Sequence, residues 1–233
     1  TRTRLSARNR RGRAASHSIS STDLLPPPPP PLLTATASVG VLQSLADHDP
    51  DVDAIYRLAP LPLPLSFPTA GPLGLRRLAV LQPGTFAPFN AQATVFFPSC
   101  FWGLLLPVTV HGRVSDIWRS YLMQALMPAV GATLAFSDAW VVQHRNPHNY
   151  LADFQSELPL YLKSAALVDH LRRGMGADGG GDDGAPAAAL AARVEALFVD
   201  MFEREIVEED DVLLAQAWLW DLAAVGYGMP TPR

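Results

Sequence analysis

The sequence predicts an α/β domain with a helical C-terminal extension, and three observations predict it. Short apolar runs bounded by Pro, Gly and Asn recur at Leu78 to Leu81, Ala93 to Phe97 and Leu134 to Val142. Between and after them the apolar period lengthens to that of a helix, from Ser115 and again from Asn149. From Ala187 onward only helical spacing remains. Strands alternating with helices define the α/β class, and the closing helices form the extension.

Residues 1–38 read as a disordered tail. Six arginines fall among the first thirteen residues with no acid, and a Ser/Thr patch leads into Pro26 to Pro31. A proline run favours polyproline II, and this composition buries too little apolar surface to fold. Residues 39–173 form the domain, with Val39 to Leu45 expected as a short helix and Ala54 to Leu58 as a strand. Leu61-Pro62-Leu63-Pro64-Leu65 is an edge segment or loop, since proline cannot donate to a sheet. Gln82 to Asn90 is a loop, and Val95 to Val110 reads as two buried strands with a turn. Ile117, Tyr121, Leu122, Ala125 and Leu126 mark a helix capped by Ser115 or Asp116. Asn149 to Leu171 is mostly helical, and residues 174–186 are a flexible Gly-rich insert. Residues 187–233 hold two helices, the second with Leu213, Ala217, Trp218 and Leu222 on one face and Trp218 and Trp220 in the core.

With 233 residues, 48% hydrophobic and 17% charged, the chain can bury a substantial core. A formal net charge of -4 argues against nucleic acid as the partner. The single cysteine, Cys100, excludes an internal disulfide. No signal peptide or anchor is visible, and Val95 to Val110 is too short and too proline-rich to span a membrane. The sequence leaves self-association open.

Chemistry concentrates in four places. Asp51-Val52-Asp53 is a carboxylate pair in a turn that can hold Mn²⁺ or Mg²⁺, or stand as a solvated acidic loop. Asp116, beside Arg113, Trp118 and Arg119, can serve as a general base or cap its helix. Arg145-Asn146-Pro147-His148-Asn149-Tyr150 offers Arg145 for phosphate and His148 for metal, against a turn with Asn149 or Asp153 as cap. Asn90 and Gln92 can read sugar hydroxyls or a base edge, or only satisfy loop backbone. No Gly-rich phosphate loop, serine-nucleophile motif or H-E-x-x-H occurs.

Several long stretches resemble one family. They are D-P-D-V-D-A-I-Y-R-L (49–58), P-G-T-F-A-P-F-N-A-Q-A-T (83–94) and F-W-G-L-L-L-P-V-T-V-H-G-R-V-S-D-I-W-R-S-Y (101–121). Q-H-R-N-P-H-N-Y-L-A-D-F (143–154) and A-W-L-W-D-L-A-A-V-G-Y (217–227) complete the set. Together they resemble the STELLO group of glycosyltransferase-like proteins. The resemblance covers about Val39 to Pro230 outside the Gly-rich insert. It implies a GT-A-like (Rossmann-like) domain in the Golgi lumen on a membrane-anchored protein, sugar transfer from a nucleoside diphosphate sugar such as a UDP-sugar, and association with cellulose synthase subunits. It places Asp116 at the acidic motif facing the acceptor, with Arg113, Trp118, Arg119, Asn90 and Gln92 around the sugar and Arg145 at diphosphate. Asp51, Asp53 and His148 are then the metal ligands, unless a further acidic triplet of the family's nucleotide-binding half is the true metal site. That half belongs before Val39, where this chain has its Arg/Ser/Pro tail. The expectation is therefore the acceptor side of the fold. The alternatives are a non-catalytic scaffold and an incomplete gene model.

Overall fold

A computed structural model of the protein describes residues 38–61, 63–67, 78–178 and 189–231. The expected tail, apart from Ser38, and most of the Gly-rich insert lie outside the described residues. The fold is mixed α/β. Its four-stranded sheet has the order β2-β4-β1-β3, built from β1 (Ser38–His48), β2 (Leu78–Val80), β3 (Thr94–Phe96) and β4 (Ala132–Gln143). β1 runs parallel to β4 and antiparallel to β3, while β2 closes the other margin antiparallel to β4.

The first correction to the sequence reading falls on β1, expected as a helix. Its burial does not alternate, because β1 lies between two strands and is buried in consecutive pairs, Gly40 with Val41 and Gln43 with Ser44. Register shifts between Val39 and Val41 and between Ser44 and Ala46 break the period of two further. The cost of that central position is visible at Gly40. A Cβ there would stand 2.4 Å from Cys100 Sγ and 2.8 Å from the Ala132 Cβ, so only glycine fits.

The second correction is the inverse. Ala54–Leu58, expected as a strand, is a one-turn helix (α1) whose N-cap is Asp53, with Oδ1 accepting the Tyr56 N–H at 2.9 Å. The third concerns residues 95–110. After β3 the chain forms a 3-10 turn over Pro98–Gly103 and a loop, so one short strand stands where two were expected.

Helix α2 (Gly112–Leu126) carries the core. Val114, Trp118, Tyr121, Leu122 and Leu126 are buried at helical spacing, and the helix packs against α3 and α4. It starts earlier than the sequence suggested: His111 is the N-cap, its Nδ1 accepting the Arg113 N–H at 3.2 Å. Asp116 is therefore one turn inside the helix rather than its cap. A short 3-10 turn, Met127–Val130, ends on Gly131 in the left-handed region (φ 65°) and delivers the chain into β4.

Helix α3 runs from Tyr150 to Asp178, past the expected start of the insert at Gly174. Asn149 supports its first turn, Oδ1 accepting the Ala152 N–H at 3.2 Å. Helices α4 (Ala189–Glu203) and α5 (Glu209–Ala224) close the domain, α4 burying Leu190, Val194, Phe198 and Met201. Helix α5 turns differently from expectation. Asp211, Ala215 and Leu222 face inward, Leu213 and Ala217 face solvent, and Trp220 is 79% exposed rather than in the core. Asp211 is buried in a polar staple: its carboxylate accepts the Val108 N–H at 2.7 Å, the Thr109 N–H at 3.2 Å and the Thr109 hydroxyl.

Candidate functional site

A cavity of about 620 Å³ opens beyond the carboxyl end of β1. Its walls come from the second half of β1, the turn before α1, the 88–92 loop, the first turns of α2 and one face of α3. Pockets outside the carboxyl ends of parallel strands are the usual ligand sites of α/β sheets. This volume is within the range of small-molecule pockets.

Six of the expected site residues line this cavity: Asp51, Asp53, Asn90, Gln92, Arg113 and Asp116. The 103-residue reach from α3 supplies the group that organises them. Glu157 is 2% exposed, and its Oε2 accepts the Ala54 N–H at the start of α1 (2.7 Å) and the Tyr161 hydroxyl (2.5 Å). Its Oε1 accepts from Arg113 Nε at 2.6 Å and Nη2 at 2.5 Å. Arg113 Nη1 has Asp153 at 3.7 Å as its one acidic partner among the described residues. Burial alone would lower the Arg113 pKa, but the hydrogen bond and charge of Glu157, helped by Asp153 and Asp51, leave it raised. Burial first, then the Glu157 hydrogen bond and charge, push the Tyr161 hydroxyl upward.

Asp116 is held from both sides. Oδ2 accepts the Ala91 N–H at 2.8 Å and Oδ1 accepts the Ile117 N–H at 2.9 Å. The carboxylate thus fixes the 88–92 loop against α2, and each oxygen retains a second lone pair. Asn90 and Gln92 stitch the same loop to the acidic turn. Asn90 Nδ2 donates to the Asp51 carbonyl at 3.3 Å, its Oδ1 accepts the Gln92 N–H at 3.0 Å, and Gln92 Oε1 accepts the Asp51 N–H at 3.0 Å. Gln43, 6% exposed on β1, anchors this network: its Oε1 accepts from the Asn90 N–H and the Thr94 hydroxyl, and its Nε2 donates to the Gln92 carbonyl.

The other four expected residues stand outside the cavity lining. Arg145 pairs with Asp51. His148 Nδ1 is 3.2 Å from Asp153 Oδ2. Trp118 is a core residue, 2% exposed, donating to the Ser164 hydroxyl at 3.3 Å. Arg119 is 4% exposed with its guanidinium 4.8 Å from the Phe96 ring centre and 5.5 Å from that of Phe89. Burial pushes its pKa down to about 10, the charge of Asp116 partly offsetting.

Among the described residues no group of three or more His, Cys, Asp or Glu side chains could hold a metal ion. Asp51 is paired with Arg145, Asp53 caps α1 and His148 faces Asp153, so the three do not converge as one shell. Sequence reasoning missed Glu157, Tyr161 and Gln43. Glu157 and Tyr161 carry only an i, i+4 spacing as a local signal, and Gln43 carries none.

The fold and cavity define an α/β domain with a small-molecule pocket at the end of its central strand, lined by carboxylates and aromatic rings. Sequence comparison specifies the family. The pattern of the STELLO glycosyltransferases matches residues 113–231, a little over half of the chain, and the chain belongs to that family. It is similar to "Probable glycosyltransferase STELLO2" of Arabidopsis thaliana, 28% identical over 194 residues, and to "Probable glycosyltransferase STELLO1" of the same plant, 27% identical over 190 residues. In both cases 82% of this chain aligns with 23% of the relative, so the chain spans about a quarter of the length of these curated proteins.

Proposed function

We propose that this segment forms the acceptor-side wall of a glycosyltransferase site, in which sugar passes from a nucleoside diphosphate sugar to a hydroxyl held in the 620 Å³ cavity. The observation that carries the reading is Asp116. It comes from the motif that carries the family resemblance, lies within the matched residues and lines the cavity. Its carboxylate is fixed by two backbone N–H groups while keeping lone pairs for a substrate proton.

In the proposed step Asp116 takes the proton of the acceptor hydroxyl as that oxygen bonds to the sugar's anomeric carbon. The bond from that carbon to the diphosphate oxygen breaks, and the nucleoside diphosphate leaves with the electron pair. Arg113, set in place by Glu157, orients the acceptor through its Nη1 edge. Among the described residues Asp51, Asp53 and His148 do not gather into a metal shell.

The test is sugar transfer by the longest expressible form of the protein. Asp116→Asn keeps the side chain's shape and removes the base, and should lower kcat by about 10² or more, the usual contribution of a positioned base. Unchanged transfer sinks the assignment.

A second reading has its own observation. Each carboxylate facing the cavity already has a protein partner, as a fold kept for binding rather than catalysis would have. On that reading the parent protein is a Golgi scaffold for cellulose synthase subunits. Golgi location and that partnership rest on the family resemblance alone. Among the described residues no helix is long and apolar enough to cross a membrane. Co-purification of synthase subunits with an Asp116→Asn variant separates the readings, since a scaffold does not need that carboxylate.

A further inference from the structure

The cavity's charge is lopsided in a way that restricts what it can hold. Its lining carries four carboxylates, Asp51, Asp53, Asp116 and Glu157, against one guanidinium, Arg113. Arg145 offsets Asp51 from outside the lining, and Glu157 is matched by Arg113. Asp53 and Asp116 face the cavity with no cation hydrogen-bonded to either among the described residues, although the buried Arg119 guanidinium behind Asp116 is close enough to feel its charge. Their partners are backbone N–H groups, which satisfy the oxygens without neutralising the charge.

A diphosphate or a carboxylated sugar brought into this cavity would meet like charge from the lining, most strongly at the part-buried Asp116, where solvent screens least, and more weakly at the exposed Asp53. A neutral polyol meets the opposite situation. Carboxylate oxygens accept hydroxyl protons with charge-assisted strength, and Arg113 Nη1 offers a donor that Asp153 engages only at 3.7 Å. The remaining wall includes the part-buried aromatic residues Phe67 and Tyr161, surfaces suited to the C–H faces of a pyranose ring.

We infer that this cavity binds an uncharged carbohydrate and excludes the nucleoside diphosphate. This rests on the glycosyltransferase reading and deepens it: the acceptor is a neutral sugar, and the donor's anionic part binds elsewhere in the parent protein.

The experiment is calorimetric titration of the whole chain with a set of neutral methyl glycosides (gluco, galacto, manno and xylo). The matching methyl glucuronide, and UDP with and without Mn²⁺, are titrated in parallel. At least one neutral glycoside should bind, and its glucuronide, equal in shape but anionic, should bind at least tenfold more weakly. UDP should give no heat that a neutral glycoside can compete away. Leu160→Trp, which adds bulk to the lining from α3 and leaves the lining's charge unchanged, should abolish glycoside binding. Asp116→Asn should weaken it while narrowing the gap between glycoside and glucuronide. UDP binding that Leu160→Trp removes, or glycoside and glucuronide binding equally, overturns the inference and leaves the glycosyltransferase reading standing. No glycoside binding by a sample whose circular dichroism shows it folded overturns it as well. The reading itself fails separately, if transfer by the longer protein is indifferent to Asp116→Asn.

Discussion

Replacing Glu157 by glutamine tests the group that assembles the cavity. Four donors converge on its two oxygens: Arg113 Nε and Nη2, the Ala54 N–H and the Tyr161 hydroxyl. Glutamine keeps the volume and one acceptor oxygen, but its NH₂ group points a donor at donors. About two of the four bonds are lost, each worth about 1.5–3 kcal/mol where a charged group takes part. Breaking one side of a buried ion pair costs about 3–5 kcal/mol in general. The Arg113 side chain is 19% exposed and has Asp153 within 3.7 Å as a second partner. That fallback sets the expected loss at the low end of the range, about 3 kcal/mol. With a urea slope of about 2 kcal/mol per molar, the unfolding midpoint should fall by about 1.5 M. Urea titration followed by tryptophan fluorescence and circular dichroism measures it. A midpoint within about 0.3 M of the parent would refute the claim that Glu157 joins α1, α2 and α3.

Three further outcomes are expected. Gly40→Ala forces a Cβ against Cys100 Sγ and Ala132 and should cost about 1–3 kcal/mol, read as a lower Tm, with Cys100→Ala in the same chain restoring part of the loss. Asp211→Ala strands the Val108 and Thr109 N–H groups and should destabilise by about 3 kcal/mol in chemical denaturation; a loss below about 0.5 kcal/mol would mean that water replaces the carboxylate freely. Burial pushes the Cys100 thiol up from 9.0 to about 11, so the unfolded chain releases this proton first as pH rises. Stability from this group is intact below pH 9 and is lost progressively toward pH 11, by about 2–3 kcal/mol, and a Cys100→Ala variant should lack that part of the alkaline slope.

Local signals reached some elements and not others, for identifiable reasons. β2, β3 and β4 were legible as short apolar runs bounded by Pro, Gly and Asn, α2 by its apolar residues at helical spacing, and α3 mainly by its regular second half. β1 was misread because a central strand covered on both sides loses its alternation, and its two bulges remove what remains. α1 was misread because Ile55, Tyr56 and Leu58 have strand-like chemistry, and the helix is held at its start by Asp53 together with a carboxylate 103 residues away. The same distance explains the site. Asp51, Asp53, Asn90, Gln92, Arg113 and Asp116 carried the right residue types at turns and helix starts, and the fold brings them to one cavity. Glu157 and Gln43, which hold them there, look in sequence like ordinary members of a helix and a strand. Arg119 drew notice for its charge, yet it is stacked on Phe89 and Phe96 inside the core.

The Asp211 staple changes what the last helices are for. Thr109, one of its partners, lies two residues before His111, the residue that starts α2, and the Thr109 hydroxyl also receives the Glu208 N–H at 3.0 Å. The C-terminal hairpin of helices therefore acts as a clamp on the hinge from which Arg113 and Asp116 are launched. Cutting the chain before Glu208 would leave every cavity residue in place in the sequence and unfasten the point that aims two of them. In this chain, the smallest piece that keeps the clamp must include α5, well past the last residue that touches the cavity.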